Sequence, residues 1–529
     1  MNIIEVFKRL RLQRRGFSCG KVRRRAGEHE WLHSLECGWE WKISIMVAFI
    51  LGLGLLLPDI KPAYASFFPK RPWICTLVIF AAAQLHLCIN HPNTFRSNRR
   101  FLLLFGGIFF QLLIVKACCV MFVGDDALHL VVIPHALIPM MLAVLLGRHL
   151  ALMATLYVSF WGWMLVPPTE AFTFLIFSKV IGFVAVYATD RVSKRSKLLR
   201  VGVLVGLCSV GLVLAMGFAA QAWQPLGVVF LSSVAAGILV SGCLPMLESL
   251  FRITTDMKWR EWSDLNHPLL KELSLVAPGT MQHSLQVANL AAAAAEAIGA
   301  NAELCRACAY FHDIGKVNKP QYFIENTNGE PNPHDELRPS MSALIIMAHV
   351  KDGVDLAMKH HLDEKIVDVI RQHHGNSVIA FFYHKALEEK RLLDVRARAG
   401  EIDENEVPDV CEEHFRYPGP RPQFKESAIL SLADSLESMS RCWQQTTPQK
   451  IAQKVDELIR SRIMDGQFNE CDLTMKEICQ IQQAFTTTLK NILHTRIAYP
   501  KIESKSESKR IEASKNNTEK IRVFRGNAA

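Results

Sequence analysis

Charge is missing where a soluble protein would place it: residues 43–57 contain no charged side chain, and further long runs carry very few. At 50% hydrophobic and 21% charged residues, the 529-residue chain is too apolar for a uniform globular enzyme. Collagen periodicity and low-complexity tracts are absent, and this apolar content excludes wholesale disorder. No run alternates apolar and polar residues as a half-buried strand does. A second CxxC pair is lacking too. Cys305 and Cys308 therefore read as packing, and the 14 cysteines, many inside apolar runs, as reduced thiols rather than a disulfide framework.

What is present divides into two regimes. A span needs about 20 apolar residues to cross ~30 Å of hydrocarbon, and eight runs qualify approximately: 43–60, 73–91, 101–122, 128–147, 149–165, 170–188, 200–221 and 226–248. The positive-inside rule places the N-terminal arm (nine Lys/Arg between Lys8 and Arg25), Arg96, Arg99, Arg100, Arg148 and the cluster Arg191–Arg200 in the cytoplasm. Asp125, Asp126 and Glu170 fall outside; only the loop 61–72, with Lys61, Lys70 and Arg71, sits awkwardly. The net charge of +10 suits an anionic membrane surface better than a nucleic-acid groove. A signal-peptide reading of 43–57, followed by Ala63-Tyr64-Ala65, is disfavoured by its late start. Within the spans, Lys116 lies near the outer end of its run and can snorkel, Lys179 has no obvious acidic partner in the neighbouring spans, and without a chain of Asp, Glu and His a proton-coupled transporter is not expected. His86, His129 and His135 read as interhelical hydrogen-bond donors, and Pro134 and Pro139 should kink the fourth span.

After residue 250 helical periodicity continues with charged opposite faces: 283–300, 302–314, 340–350, 363–373, 425–442 and 447–462 read as helices, and the domain as all-α. On them sit His283, His312-Asp313, His349, His373-His374 and Asp434. One such histidine reads equally as a satisfied core residue. The whole set is costly to bury unless it binds something, and a metal pair is the economical occupant. Nitrogen and oxygen donors without thiolate suit Fe, Mn, Zn, Co or Ni. At His312-Asp313 the imidazole can bind one metal while the two-oxygen carboxylate reaches a second.

The segments APGTMQHSLQVANLA (277–291), HDIGK (312–316), NPHDELRPSMSALIIMAHVKDG (332–353), QHHG (372–375), FRYPGPRPQFKESAI (415–429) and LADSLES (432–438) together closely resemble the HD-domain phosphohydrolases. More narrowly the chain resembles their membrane-bound branch, the seven-transmembrane HD family, whose characterised members are cyclic-di-AMP phosphodiesterases. The resemblance implies that His283, His312, Asp313 and Asp434 hold one metal, and that His349, His373 and His374 hold the other with Asp313 bridging. It implies two divalent ions, Mn or Fe, activating a water as nucleophile, with Lys316 adding positive charge at phosphorus. The loop 415–424, which Pro418, Pro420 and Pro422 keep from being helical, offers Arg416, Tyr417 and Arg421 to a substrate, and Arg441 stands two turns after Asp434.

The expected organisation is a basic cytoplasmic arm (1–42), a membrane domain of about eight spans (43–250), an HD phosphohydrolase domain (251–500) and a disordered basic tail (501–529). The expected activity is hydrolysis of a cyclic dinucleotide, cyclic di-AMP to linear pApA, at a bacterial cytoplasmic membrane with the HD domain inside. The partners are that substrate and the lipid bilayer, with no nucleic-acid polymer; a homodimer is compatible. Alternatives are hydrolysis of other nucleotides, or a membrane receptor or transporter whose HD domain only binds nucleotide. Family members carry a sizeable extracellular domain after the first span, where this chain has only 61–72, so an external sensor is not expected. The segment 385–414 should be an exposed helical excursion.

Overall fold

The computed structural model describes residues 38–57, 72–122, 128–190, 192, 195–217, 223–327, 331–403, 405, 407–443 and 447–494. The arm before residue 38, nearly all of the loop 61–72, Asp125, Asp126 and the tail 501–529 lie outside them. Among the described residues every regular element is helical, as expected, apart from one antiparallel bridge between Val378 and Arg416. The chain divides into two compact units. The first holds the chain to Pro278 with Ile314–Asn318 and Asp352–Val367; the second holds Gly279–Asp313, Lys319–Lys351 and the chain from Asp368 onward.

In the first unit the helices are α1 (Trp39–Leu56), α2 (Pro72–Asn90), α3 (Pro92–Arg96), α4 (Asn98–Met121), α5 (Leu128–Val132), α6 (Leu137–Leu146), α7 (Arg148–Trp163), α8 (Ala171–Ala188), α9 (Arg195–Ala215), α10 (Gln224–Phe251), α11 (Asp256–Trp262) and α12 (Pro268–Val276). Six are long and apolar enough to cross a membrane: α1, α2, α4, α8, α9 and α10. Two of the eight expected runs are shorter, and 128–147 is a correction. It forms two helices, not one kinked span. Pro134 has no N–H to donate and falls in the gap, while Pro139 sits in the first turn of α6, where a missing N–H costs nothing. The gap is held by its own residue: His135 Nε2 bonds the Leu130 carbonyl at 3.0 Å, so this histidine does not serve a neighbouring helix as expected. Gln111 Nε2 donates to the Pro134 carbonyl at 3.4 Å. Lys179 places its Nζ 4.8 Å from the centre of the Phe160 ring, a contact favourable for an ammonium without a carboxylate.

Apolar burial does little to join helices in lipid, so close backbone approach must. Along α9 and α10 small residues permit it: a Cβ on Gly237 would stand 2.9 Å from the Leu198 carbonyl oxygen, and one on Gly202 3.1 Å from that of Ser233. Arg252 ends α10 in the left-handed region, at φ 50. Beyond it Thr255 caps α11 by accepting the Lys258 N–H, and Arg195 on α9 pairs with Glu261 on α11 at 2.6 Å.

The second unit is built from α13 (Pro278–Ile298), α14 (Ala302–Phe311), α15 (Pro339–Lys359), α16 (Glu364–Gln372), α17 (Ala380–Arg398), α18 (Lys425–Ser440), α19 (Pro448–Met464) and α20 (Met475–His494), with residues 352–367 of α15 and α16 counted in the first. Gly299, at φ 71, stops α13, and Asn301 starts α14 by accepting the Leu304 N–H at 3.0 Å. The charged excursion over 385–414 is α-helical as far as Arg398 and closes in a 3₁₀ turn at Glu412–Phe415. Helix α20 was not foreseen. Its signal was legible: Thr474 accepts the Glu477 N–H while Glu477 accepts that of Thr474, and Ile478, Ile481, Phe485 and Leu489 form one buried stripe.

Candidate metal centre

Five helices supply the centre. His283 lies on α13, His312 caps the end of α14 with Asp313 following, His349 lies on α15, His373 and His374 follow α16, and Asp434 lies on α18. The start of α13 is clamped before His283. Thr280 Oγ1 donates to Glu325 at 3.0 Å, its N–H donates to Asn326 Oδ1 at 3.2 Å, and a Cβ on Gly279 would collide with the Glu325 carbonyl.

Four of the five imidazoles are then aimed by their far nitrogen. Nδ1 of His312, His349 and His373 bonds the carbonyl three residues earlier, Ala309 at 2.8 Å, Ile346 at 2.5 Å and Ile370 at 2.8 Å. A carbonyl only accepts, so these Nδ1 atoms carry a proton and Nε2 is the atom turned toward the other donors. His283 reaches the same state through a carboxylate: its Nδ1 donates to Glu437 Oε2 at 2.5 Å, and Arg441 Nε donates to Glu437 at 2.9 and 3.0 Å. Burial raises the Glu437 pKa, but the His283 bond and the Arg441 guanidinium outweigh it and hold the carboxyl below its ordinary value. Sequence reading missed Glu437. It stands three residues after Asp434, on the same helix face, and that spacing is the signal that could have found it.

The donor atoms gather into two groups, His283, His312 and Asp313, and His349, His373 and His374; within each group they lie within 4.8 Å of one another. Asp313 touches both. Its Oδ2 lies 3.2 Å from His312 Nε2 and 3.5 Å from His283 Nε2, and its Oδ1 lies 3.4 Å from His349 Nε2. Asp434 also spans them, with Oδ1 at 3.0 Å from His283 Nε2 and Oδ2 at 3.6 Å from His374 Nδ1.

This donor set fits divalent metal. His349 and His373 direct Nε2 atoms at each other across 3.4 Å while both Nδ1 atoms bond carbonyls, a pair of nitrogens that a cation between them would satisfy. His312 Nε2 is buried without a hydrogen-bond partner. Burial opposes charge on His312, yet Asp313 and Asp434 overcome it and carry its pKa up to about 10: without metal the carboxylates draw a proton onto the atom a metal would take. Burial, helped by neighbouring histidines, pushes His373 down to about 3 and His374 well below its usual range, leaving both neutral as ligands must be. Burial raises Asp434, but His283 and His312 outweigh it and keep the carboxylate ionised.

The other expected site residues are placed differently. Tyr417 is buried and stacks on His374, ring centres 4.2 Å apart. Arg416 spends its donors inside the protein, on Glu412 (2.8 Å), the Asn376 carbonyl (2.9 Å) and Asp465 (3.4 Å). Arg421 Nε donates to Asn376 Oδ1 at 3.2 Å, and Arg441 is engaged with Glu437. Lys316 is half-buried on the turn Ile314–Asn318, which packs on α12 in the first unit.

Comparison with known proteins matches both halves. The family described as "7TM receptor with intracellular HD hydrolase" matches residues 73–255, and "HD domain" matches 280–439. "Cyclic-di-AMP phosphodiesterase PgpH" of Bacillus subtilis is 34% identical over 453 residues, 83% of this chain and 61% of that protein. The protein of the same name from Listeria monocytogenes is 37% identical over 374 residues, 69% of this chain and 50% of its own length. The chain thus spans between half and two thirds of these relatives. The solved HD domain of L. monocytogenes PgpH in complex with cyclic-di-AMP is 43% identical, with a TM-score of 0.39, covering 43% of this chain and 98% of that one. The two matched regions follow one another along the chain, and over them the chain is similar to the seven-transmembrane HD proteins.

Proposed function

We propose that the protein is a membrane-anchored, metal-dependent phosphodiesterase that hydrolyses a cyclic dinucleotide, cyclic di-AMP to linear pApA, on the cytoplasmic side of a bacterial inner membrane. The observation that carries this reading is the Asp313 carboxylate divided between two histidine groups, an arrangement suited to two adjacent divalent ions, Mn or Fe. His283, His312, Asp313 and Asp434 hold one and His349, His373 and His374 the other, with Asp313 shared. When bound, the metals supply Lewis acidity to a phosphodiester and lower the pKa of a water.

The chain's own residues do the rest. Four Nδ1 anchors and one ring stack fix five imidazole rings before any ligand arrives: three anchors are carbonyls, His283 is held by Glu437, and His374 lies under Tyr417. Asp313 and Asp434 bring negative charge that a pair of cations offsets. Tyr417 covers one face of the His374 ring. Orientation follows from the basic residues flanking the spans, and the names of the two relatives support the substrate.

The deciding experiment purifies the full chain, loads it with Mn or Fe and measures kcat/KM for cyclic di-AMP, cyclic di-GMP and mononucleotides. Cyclic di-AMP should be the best substrate, with turnover lost to a chelator. Preference for another nucleotide overturns the substrate and leaves the phosphohydrolase; binding without turnover overturns the enzyme in favour of a receptor.

A further inference from the structure

Arg462, on α19, stands apart from the other guanidiniums of its unit. Its Nη2 donates to Ser435 Oγ at 3.0 Å, a neutral hydroxyl on the residue next to Asp434. Its Nε is enclosed and has no hydrogen-bond partner. Asp465, three residues along the chain, would be its natural counterion, but that carboxylate takes Arg416 at 3.4 Å on Oδ1 and Gln467 Nε2 at 2.7 Å on Oδ2. Burial lowers the Arg462 pKa from its ordinary value, and the fields of Asp434, Asp465 and Tyr417 only partly restore it. A guanidinium stays charged regardless. Here is a cation enclosed beside the metal-binding carboxylate and left without an ion pair among the described residues, an arrangement that costs free energy until an anion enters.

We propose that Arg462 receives a phosphate of the substrate, its free Nε and remaining N–H groups forming a fork onto phosphate oxygens beside Asp434. The fork geometry of guanidinium suits phosphate oxygens. Ser435 holds the head in place, and Tyr417, stacked on His374, links this corner to the second histidine group. The ligand class is a phosphate ester or inorganic phosphate. The inference rests on the proposed nucleotide hydrolysis for the identity of the natural ligand, though not for the anion site itself.

The test uses the full chain loaded with Mn and compares wild type, Arg462→Gln and Arg462→Lys by elemental analysis, calorimetric binding of inorganic phosphate, and steady-state kinetics. Metal content should stay constant. Phosphate affinity should fall at least about tenfold in Arg462→Gln and partly recover in Arg462→Lys, which keeps the charge without the fork; KM for cyclic di-AMP should rise in the same order. Equal phosphate affinity in all three proteins overturns the proposal, as does a wild type that binds no phosphate. Loss of metal in both variants overturns it too, since Arg462 would then be supporting the centre. Should Arg462→Gln fail to fold, Arg462→Lys decides by the same phosphate measurement. Phosphate binding that depends on Arg462 in a protein that leaves cyclic di-AMP intact keeps the anion site and refutes the substrate.

Discussion

The two halves of the molecule use the same local device on buried polar side chains and reach opposite results. In the membrane half hydroxyls fold back on their own helix: Thr155 to the Ala151 carbonyl, Ser159 to Thr155, Ser209 to Val205, Ser233 to Val229, all between 2.7 and 3.0 Å. A hydroxyl has one proton, and once it is spent the group makes few demands. In the HD half imidazoles fold back in the same way, on the carbonyl three residues earlier. An imidazole has a second nitrogen. Tying down Nδ1 leaves Nε2 held toward the carboxylates and the other rings, so what quiets a serine arms a histidine.

The largest effect should come from removing the carboxylate on which both histidine groups converge. Asp313→Ala is expected to lower kcat/KM by roughly a thousandfold or more and to reduce bound metal on elemental analysis, with helical content by circular dichroism unchanged. Two tightly held ions in that variant would break the bridging assignment. Because Asp434 spans the groups as well, one residual ion is compatible with it.

Smaller, and more pointed, is Glu437→Gln. An amide can still accept from His283 but carries no charge, and metal affinity should fall roughly ten- to a hundredfold in chelator competition. Arg441, deprived of the carboxylate, should matter less afterwards, so a double-mutant cycle should show coupling. No change on Glu437→Gln would mean that the ring is aimed by packing alone.

The smallest effect belongs to the membrane half. Ser159 bonds Thr155 O and also Ser178 Oγ at 2.9 Å, yet Ser159→Ala should cost only about 0.6 kcal/mol, read as a small shift in thermal unfolding in detergent, with hydrolysis unaltered. A loss comparable to that of Asp313→Ala would erase the contrast between the halves.

Much of this centre was legible because its ligands sit in local motifs: His312-Asp313 and His373-His374 are adjacent, and helical periodicity places their neighbours. Glu437 was not, since its partner His283 lies 154 positions away and nothing in LADSLES distinguishes a carboxylate that orients an imidazole from one in solvent. Arg462 was hidden similarly: its environment is set by Ser435, 27 positions earlier. The break at Pro134 was underestimated because a proline in a span reads as a kink; whether the helix resumes depends on groups such as Gln111 that take up the freed carbonyl. The fate of Arg416 turned on Asp465, 49 positions on, a pairing no linear pattern records.

The facing nitrogens of His349 and His373 also bear on how long the protein lasts. Two ring nitrogens fixed 3.4 Å apart form a seat that the unfolded chain, whose rings turn freely, does not offer. A divalent ion seated there would link folding by mass action to its free concentration: above its dissociation constant, each tenfold rise would add about 1.4 kcal/mol to the stability of this half. In a cell starved of that ion the first casualty would be the molecule's persistence against proteolysis, before any question of turnover arises.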